Sequence, residues 1–277
     1  MSDYWCLFGI TLLYWDHILT FPAEVKYIWR CPRRASSYIF FLNRYFTALT
    51  NVVVIISRLG PKAFLESSNC PAFQKVRDGI VVVAQVIVLF IMTMRIYALY
   101  ACSKRVLWPL LCILIGGIAV SPFTLSYRPE QPELKARRCH TPRDERQAIQ
   151  LAITWEAVFV YDTLVFLLAM YKAYQARRES QISIPLRNVI IRDGTLYFGA
   201  ISLFSLANIL TFYFAGPFMK AGISPVASSL SVTLVSRLML HLHESADIDV
   251  HRFPTEIETR IQCYQPDVCS GDTAFRQ

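Results

Sequence analysis

Apolar and polar residues along this chain fall into long blocks, without the alternation of a strand or the three-to-four spacing of a surface helix. The block Val81 to Tyr100, VVVAQVIVLFIMTMRIYALY, lies in an uncharged run that begins at Gly79 and lasts until Arg95. That run is too long and too uniformly apolar to be one face of a soluble helix. With its flanks it reaches the roughly 20 residues that cross a bilayer's hydrocarbon. Six further blocks read the same way. A first helix is expected from about Tyr4 to Phe21, ended by Pro22, and a second from Ser36 to Ser57. The fourth, Val106 to Tyr127, is free of charge, and its Pro109, Gly116, Gly117 and Pro122 are tolerated in lipid where neighbours satisfy the freed backbone. A fifth runs from Ala148 to Tyr171, a sixth from Gly194 through the uncharged stretch to Met219, and a seventh from Ile223 to Leu242. The pattern predicts an all-α fold, a seven-transmembrane helix bundle over residues 1–243. Residues 244–277, polar and with seven acids, are expected as a flexible tail.

Composition supports this solvent. The 277 residues are 54% hydrophobic and only 17% charged, against about 25% charged in soluble domains. The net charge of +8 would suggest nucleic acid in a soluble protein. Here basic connectors that meet anionic headgroups account for it, so the lipid bilayer is the expected partner and nucleic acid is not. The localisation is integral and multi-pass, in plasma membrane or endomembrane alike. Eight cysteines form no CxxC pair, which argues against a zinc ribbon or thioredoxin-type motif, and no metal or cofactor is expected. No cleaved signal peptide is expected either, since the first residues lack a basic region and a small-residue cleavage site.

Basic residues alone leave the orientation tied. With the N-terminus outside, the inner connectors hold 11 Lys or Arg and the outer ones also 11. Charges within the spans break the symmetry. Asp16, Arg95 and Arg237 lie near the ends of odd-numbered spans and Arg44 near the start of an even one, so all four share one side at a depth of roughly 7–12 Å by helical rise. This candidate inner charged layer places that side at the cytoplasm, where long side chains snorkel to phosphates. Either each arginine snorkels, or Asp16 pairs with Arg44 or Arg237, because an unpaired carboxylate in hydrocarbon must find a partner or a proton. The opposite half holds Gln85, Glu156, Asp162 and Asn208, a candidate outer polar pocket. Intramembrane carboxylates are functional candidates by default, with helix-to-helix hydrogen bonding as the plainer role. Cys70, before span three, and Cys139, in the loop after span four, share the outer side; they are a candidate disulfide in an oxidising compartment or else two free thiols.

Several short motifs keep a set order: YWDHILTF and EVKYIW, then FLNRYF, RIYALY before a basic turn, DGTLYF opening span six, and SRLMLHL closing span seven. In these the chain, from about Tyr14 to Leu242, resembles multi-pass membrane proteins of basidiomycete fungi that carry an N-terminal domain of unknown function. The resemblance implies seven helices with the N-terminus outside and no established activity, although the N-terminal segment is shorter than that family's usual first span. The layout is also similar to seven-helix receptors, with a Cys before helix three, a Cys in the second outer loop and an arginine near helix three's inner end. Asp-Arg-Tyr, Asn-Pro-x-x-Tyr and a retinal-holding lysine in helix seven are all missing.

Three functions compete. A receptor-like sensor would take a small-molecule ligand among the outer polar residues and engage a cytoplasmic partner at the basic loop 172–193. A small-solute or proton-coupled transporter would use Asp162, although no internal repeat supports one. An intramembrane enzyme is not expected: HLHE at His241–Glu244 is not HExxH, and histidines two apart point to different helix faces. A structural role in the membrane is the remaining alternative.

Overall fold

The structure, a computed structural model, describes residues 2–29, 35–59, 70–126, 145–179, 185–214 and 223–252, and among these every element is a helix. In chain order they are α1 (Ser2–Tyr27), α2 (Ala35–Leu59), α3 (Cys70–Leu99), α4 (Lys104–Ser126), α5 (Glu145–Glu179), α6 (Pro185–Phe214) and α7 (Ser224–Arg252). Among the described residues, six helices, α1, α2, α3, α5, α6 and α7, are long and apolar enough to cross a membrane. Large apolar side chains cover the outside of the bundle, among them Ile18, Leu49, Leu167, Leu196, Leu203 and Phe214, as a hydrocarbon solvent requires. The chain is thus an all-helical bundle of multi-pass membrane type.

The helices overrun the apolar blocks at several ends. α1 does not stop at Phe21 but passes through Pro22 to Tyr27. Proline removes one amide and crowds the carbonyl four residues back, and in lipid a neighbouring helix can re-satisfy what is freed. Here the His17 carbonyl, one residue before the crowded one, accepts from Arg44 Nη2 of α2 at 3.0 Å. The expected connector 172–193 is mostly helix, since α5 runs to Glu179 and α6 starts at Pro185, a residue whose fixed φ suits the first helical turn. α7 continues ten residues past Leu242 to Arg252. Residues 253–277, the bulk of the expected flexible tail, lie outside the described residues.

Cross-helix contacts give the directions. Tyr14 with the Ala48 carbonyl and Glu24 with Arg44 set α1 against α2 antiparallel. Thr93 with Tyr161 and Tyr100 with the Leu168 carbonyl run α3 and α5 parallel, both at an offset of 68 residues. Asp162 with Ser205 and Glu156 with Tyr213 oppose α5 and α6. All odd helices therefore run one way and end on one side.

α3 and α7 occupy the middle. α7 packs against α1, α2, α3 and α6, and α3 against α2, α4, α5 and α7. Their buried faces meet in one core that includes Val88, Met92 and Ile96 of α3, Tyr161 and Val165 of α5, Phe198 and Ile201 of α6, and Val235, Leu238 and Met239 of α7. α1 lies along α7 far more than along α2, and Gly9 makes that possible: a Cβ there would sit 3.0 Å from the Cα of Val226. Small residues at such crossings let backbones approach in lipid, where no hydrophobic force drives helices together. Between α3 and α4 the chain reverses in four residues, with Ala101 and Cys102 at φ of 51° and 59° and the Cys102 amide returning to the Tyr97 carbonyl at 3.0 Å.

Gly9→Ala should push α1 from α7 and destabilise the bundle by about 1–3 kcal/mol, the usual cost of overpacking. Gly116→Ala, with nothing within 4 Å of the new methyl, should leave the thermal midpoint in detergent unchanged. Equal midpoints for the two variants would refute the close α1–α7 approach.

Candidate functional site

The ionisable groups inside the bundle separate into two zones. On the side where α1 and α7 end, α1 carries two acids, Asp16 and Glu24, two turns apart. The α1–α2 hairpin folds Glu24 onto Arg44 of α2, with Arg44 Nε 2.9 Å from Glu24 Oε2 and the side chains 1% and 0% exposed. The other carboxylate oxygen of Glu24 accepts from Tyr45 Oη at 2.8 Å and from Trp29 Nε1 at 3.1 Å. Arg44 also donates to the His17 carbonyl and stands 5.6 Å from the centre of the Phe40 ring. Four residues, His17 of α1, Trp29 just past its end, and Phe40 and Tyr45 of α2, thus enclose one ion pair, with donors aimed at the anion and a carbonyl and a ring face at the cation.

The second pair joins α1 to α7. Arg237 Nε meets Asp16 Oδ1 at 2.5 Å, with Asp16 buried and the Arg237 side chain 45% exposed. Of the two arginines open to Asp16 in the sequence, Arg237 is the one bonded to it and Arg44 is engaged elsewhere. Arg95, the fourth member of the expected layer, stands partly exposed on α3. Glu24 was missed because Pro22 suggested a helix end, which put Glu24 in a connector. Once the helix is allowed through the proline, Glu24 falls two turns beyond Asp16, inside the bundle.

The other zone is polar without cations. Asp162 of α5 is fully buried near the middle of the apolar segment Ile149–Ala176. Ser205 of α6 donates to its Oδ2 at 2.6 Å, while its Oδ1 has no hydrogen-bond partner. Beside it Thr163 and Ser202 share a hydrogen bond at 3.1 Å. Asn208, one turn along α6 from Ser205, accepts from Ser224 of α7 at 3.0 Å, and its Nδ2 is buried with no partner. Gln85 of α3 is buried with neither amide atom bonded. Glu156 goes elsewhere, accepting from the exposed Tyr213 hydroxyl on α6. The four residues of the expected outer pocket are therefore not one hydrogen-bonded cluster. Asp162 and Asn208 share the α5–α6–α7 seam, and among the described residues no bond joins Gln85 or Glu156 to them. The pairing of Cys70 with Cys139 lies outside the residues whose side chains are described.

Among the described residues no three His, Cys, Asp or Glu converge as metal ligands. The arrangement offers one zone of paired charges and one zone without a paired cation; among the described residues, buried polar atoms with no hydrogen bond occur in both, His17 Nε2 and Arg44 Nη1 in the first and Asp162 Oδ1 and Asn208 Nδ2 in the second.

Residues 4–49 match a Family of unknown function (DUF6533). The match covers about a sixth of the chain, α1 and the first part of α2, and so contains Asp16, His17, Glu24, Arg44 and Tyr45. No curated protein and no solved structure matches the chain.

Truncating one partner of a buried pair strands the other charge, at about 3–5 kcal/mol. Glu24→Gln should lower stability in detergent by that order, and Asp16→Asn by less, because Arg237 keeps access to the surroundings. Asp16→Asn should partly compensate Arg237→Leu and leave Arg44→Leu uncompensated. A Glu24→Gln midpoint equal to that of the exposed Arg178→Gln would refute a stabilising role for the enclosed pair.

Proposed function

We propose that this chain is a receptor-like membrane sensor of seven spans, α4 being the seventh, with the N-terminus outside. A small polar ligand binds in the zone of Gln85, Asp162 and Asn208, and the helices respond by moving about the end held by the Glu24–Arg44 and Asp16–Arg237 pairs. The observation that carries the reading is a group of buried polar atoms on three helices that have no hydrogen-bond partner among the described residues: both amide atoms of Gln85, Asp162 Oδ1 and Asn208 Nδ2. Buried polar groups are ordinarily hydrogen-bonded, and those left over call for an explanation. A ligand bringing both donors and acceptors is one that these atoms would hold. The basic stretch 172–193, with Lys172 and Arg178 on the extended end of α5, suits a cytoplasmic partner. A Cys70–Cys139 disulfide would tether the loop over the ligand zone.

Asp162 supports a second reading, a small-solute or proton-coupled carrier, because a buried carboxylate near mid-membrane suits a carried cation. One preparation separates the two. The protein is reconstituted in vesicles with fluorescent labels at positions 178 and 104, and a panel of small polar amines, amides and alcohols is added outside. The sensor reading expects at least one compound to change the distance between labels without accumulating in the vesicles, and Asn208→Ala and Gln85→Leu to abolish the change. Accumulation of a compound that Asp162→Asn prevents would replace the sensor with a carrier. Labelling from outside at positions 135 and 220, with 178 protected, is the orientation that the proposal requires.

A further inference from the structure

Among the described residues three carboxylates are buried within the apolar segments, and they are treated differently. Asp16 and Glu24 each face an arginine. Asp162, the most centrally placed, is fully buried, and the one hydrogen bond it receives comes from a neutral hydroxyl, Ser205 Oγ at 2.6 Å. No cationic side chain among the described residues forms an ion pair with it, and its Oδ1 lies buried without a donor. A lone carboxylate in hydrocarbon is not tolerated as an anion unless a positive charge reaches it.

Its surroundings supply oxygen. Ser205 and Ser202 are three residues apart on α6 and so share a face, and Ser202 holds the hydroxyl of Thr163, the residue after Asp162, at 3.1 Å. The carboxylate and three hydroxyls thus form two hydrogen-bonded pairs, Asp162–Ser205 and Thr163–Ser202, on adjoining turns of the α5–α6 seam. This is a donor set of hard oxygens, which suits alkali and alkaline-earth ions and not the nitrogen- or sulfur-seeking metals. A single carboxylate matches a single positive charge, since a divalent ion would leave net charge in the hydrocarbon. The absence of three convergent His, Cys, Asp or Glu side chains among the described residues points the same way.

We propose that Asp162, with the hydroxyls of Ser202, Ser205 and Thr163, binds one small monovalent metal cation between α5 and α6. In this arrangement Oδ1 is the main ligand, and Ser205 orients the carboxylate through Oδ2. The proposal shares Asp162 with the sensor reading but requires neither a polar organic ligand nor signalling. It would survive the loss of ligand-evoked movement, and the sensor could lack the cation.

The test reads cation binding alone, on the full chain purified in detergent. Thermal unfolding is followed at fixed ionic strength and pH while sodium chloride replaces N-methylglucamine chloride, with a potassium series in parallel. A saturable rise in the midpoint, larger for one of the two metal cations than for the other, is expected. It should vanish in Asp162→Asn, whose amide oxygen can still accept from Ser205. Ser205→Ala should weaken the cation's apparent affinity by about 10–100-fold, the usual effect of losing a group that orients a ligand. If Asp162→Asn does not fold, Ser205→Ala decides the matter by itself. Identical curves in sodium, potassium and N-methylglucamine, with stability following pH alone, would mean that a proton neutralises Asp162 and would overturn the proposal. So would a sodium effect that persists in Asp162→Asn or an affinity unchanged in Ser205→Ala.

Discussion

Charge inside a hydrocarbon solvent must be neutralised where it stands, and the contact that meets this demand most completely is Glu24–Arg44. Neither partner reaches the surface, so the hydrogen bonds that hold them come from within the hairpin, and among the described residues only Arg44 Nη1 is left with neither a hydrogen bond nor the ion pair. Tyr45 and Trp29 answer the carboxylate; the His17 carbonyl and the Phe40 ring answer the guanidinium. A buried ion pair adds little stability over well-packed apolar residues of the same size. Its effect lies in position. Sliding α1 along α2 by one residue would strand both charges, so only one register of the hairpin is tolerated. This matters because α1 follows α7 closely and α2 loosely, which leaves the pair and the Tyr14 bond to the Ala48 carbonyl as the main ties between the first two helices. Asp16–Arg237 then sets the hairpin against α7, and α7 touches most of the rest.

α7 can serve as that hub because of its small polar residues. Ser224, Ala227, Ser228, Ser229 and Ser231 are all buried, and their size lets neighbouring backbones come near. Ser231 bonds the Ala227 carbonyl of its own helix at 2.9 Å, so burying its hydroxyl leaves no orphan group. Ser224 instead crosses to Asn208 of α6, and Ser236 accepts from Asn43 of α2 at 3.1 Å. Such bonds are individually modest in membranes. They differ from the ion pairs in that a hydroxyl or an amide can change partner without leaving a charge behind.

Helix number and the level of the buried charges were legible in the sequence because both follow from burying charge in hydrocarbon, a constraint that acts residue by residue. Asp16 was readable as needing a cation at its own depth, with Arg44 and Arg237 both open to it, and the packing of α1 on α7 selects Arg237. Glu24 was not, because local propensity says that Pro22 ends a helix and only a neighbour such as Arg44, distant in sequence, decides otherwise. The grouping of the polar residues was also hidden. Gln85, Glu156, Asp162 and Asn208 lie in the same half of the bundle, but which of them face each other depends on helix rotation. In uniformly apolar segments the sequence scarcely encodes rotation: α6, with apolar residues on every side, presents Ser202, Ser205 and Asn208 inward and Leu203, Leu206 and Leu210 outward. Only the repeated spacing of three between Ser202, Ser205 and Asn208 hints at that face.

The two zones also differ in how readily they could move. Parting α1 from α2 or α7 at the ion-paired end would expose opposite charges to hydrocarbon, so that end resists separation. At the other end, α5, α6 and α7 are joined through Asp162–Ser205, Thr163–Ser202 and Asn208–Ser224, each of which includes a neutral hydroxyl that can rotate to another acceptor. A displacement of α6 by a fraction of a turn would exchange these bonds and need break no ion pair. On the proposed reading, this asymmetry makes the hairpin the fixed part of the molecule and α5–α6 the responsive part. The segment matched to a family of unknown function, residues 4–49, would then be the frame against which a signal is generated and not the place where the ligand binds.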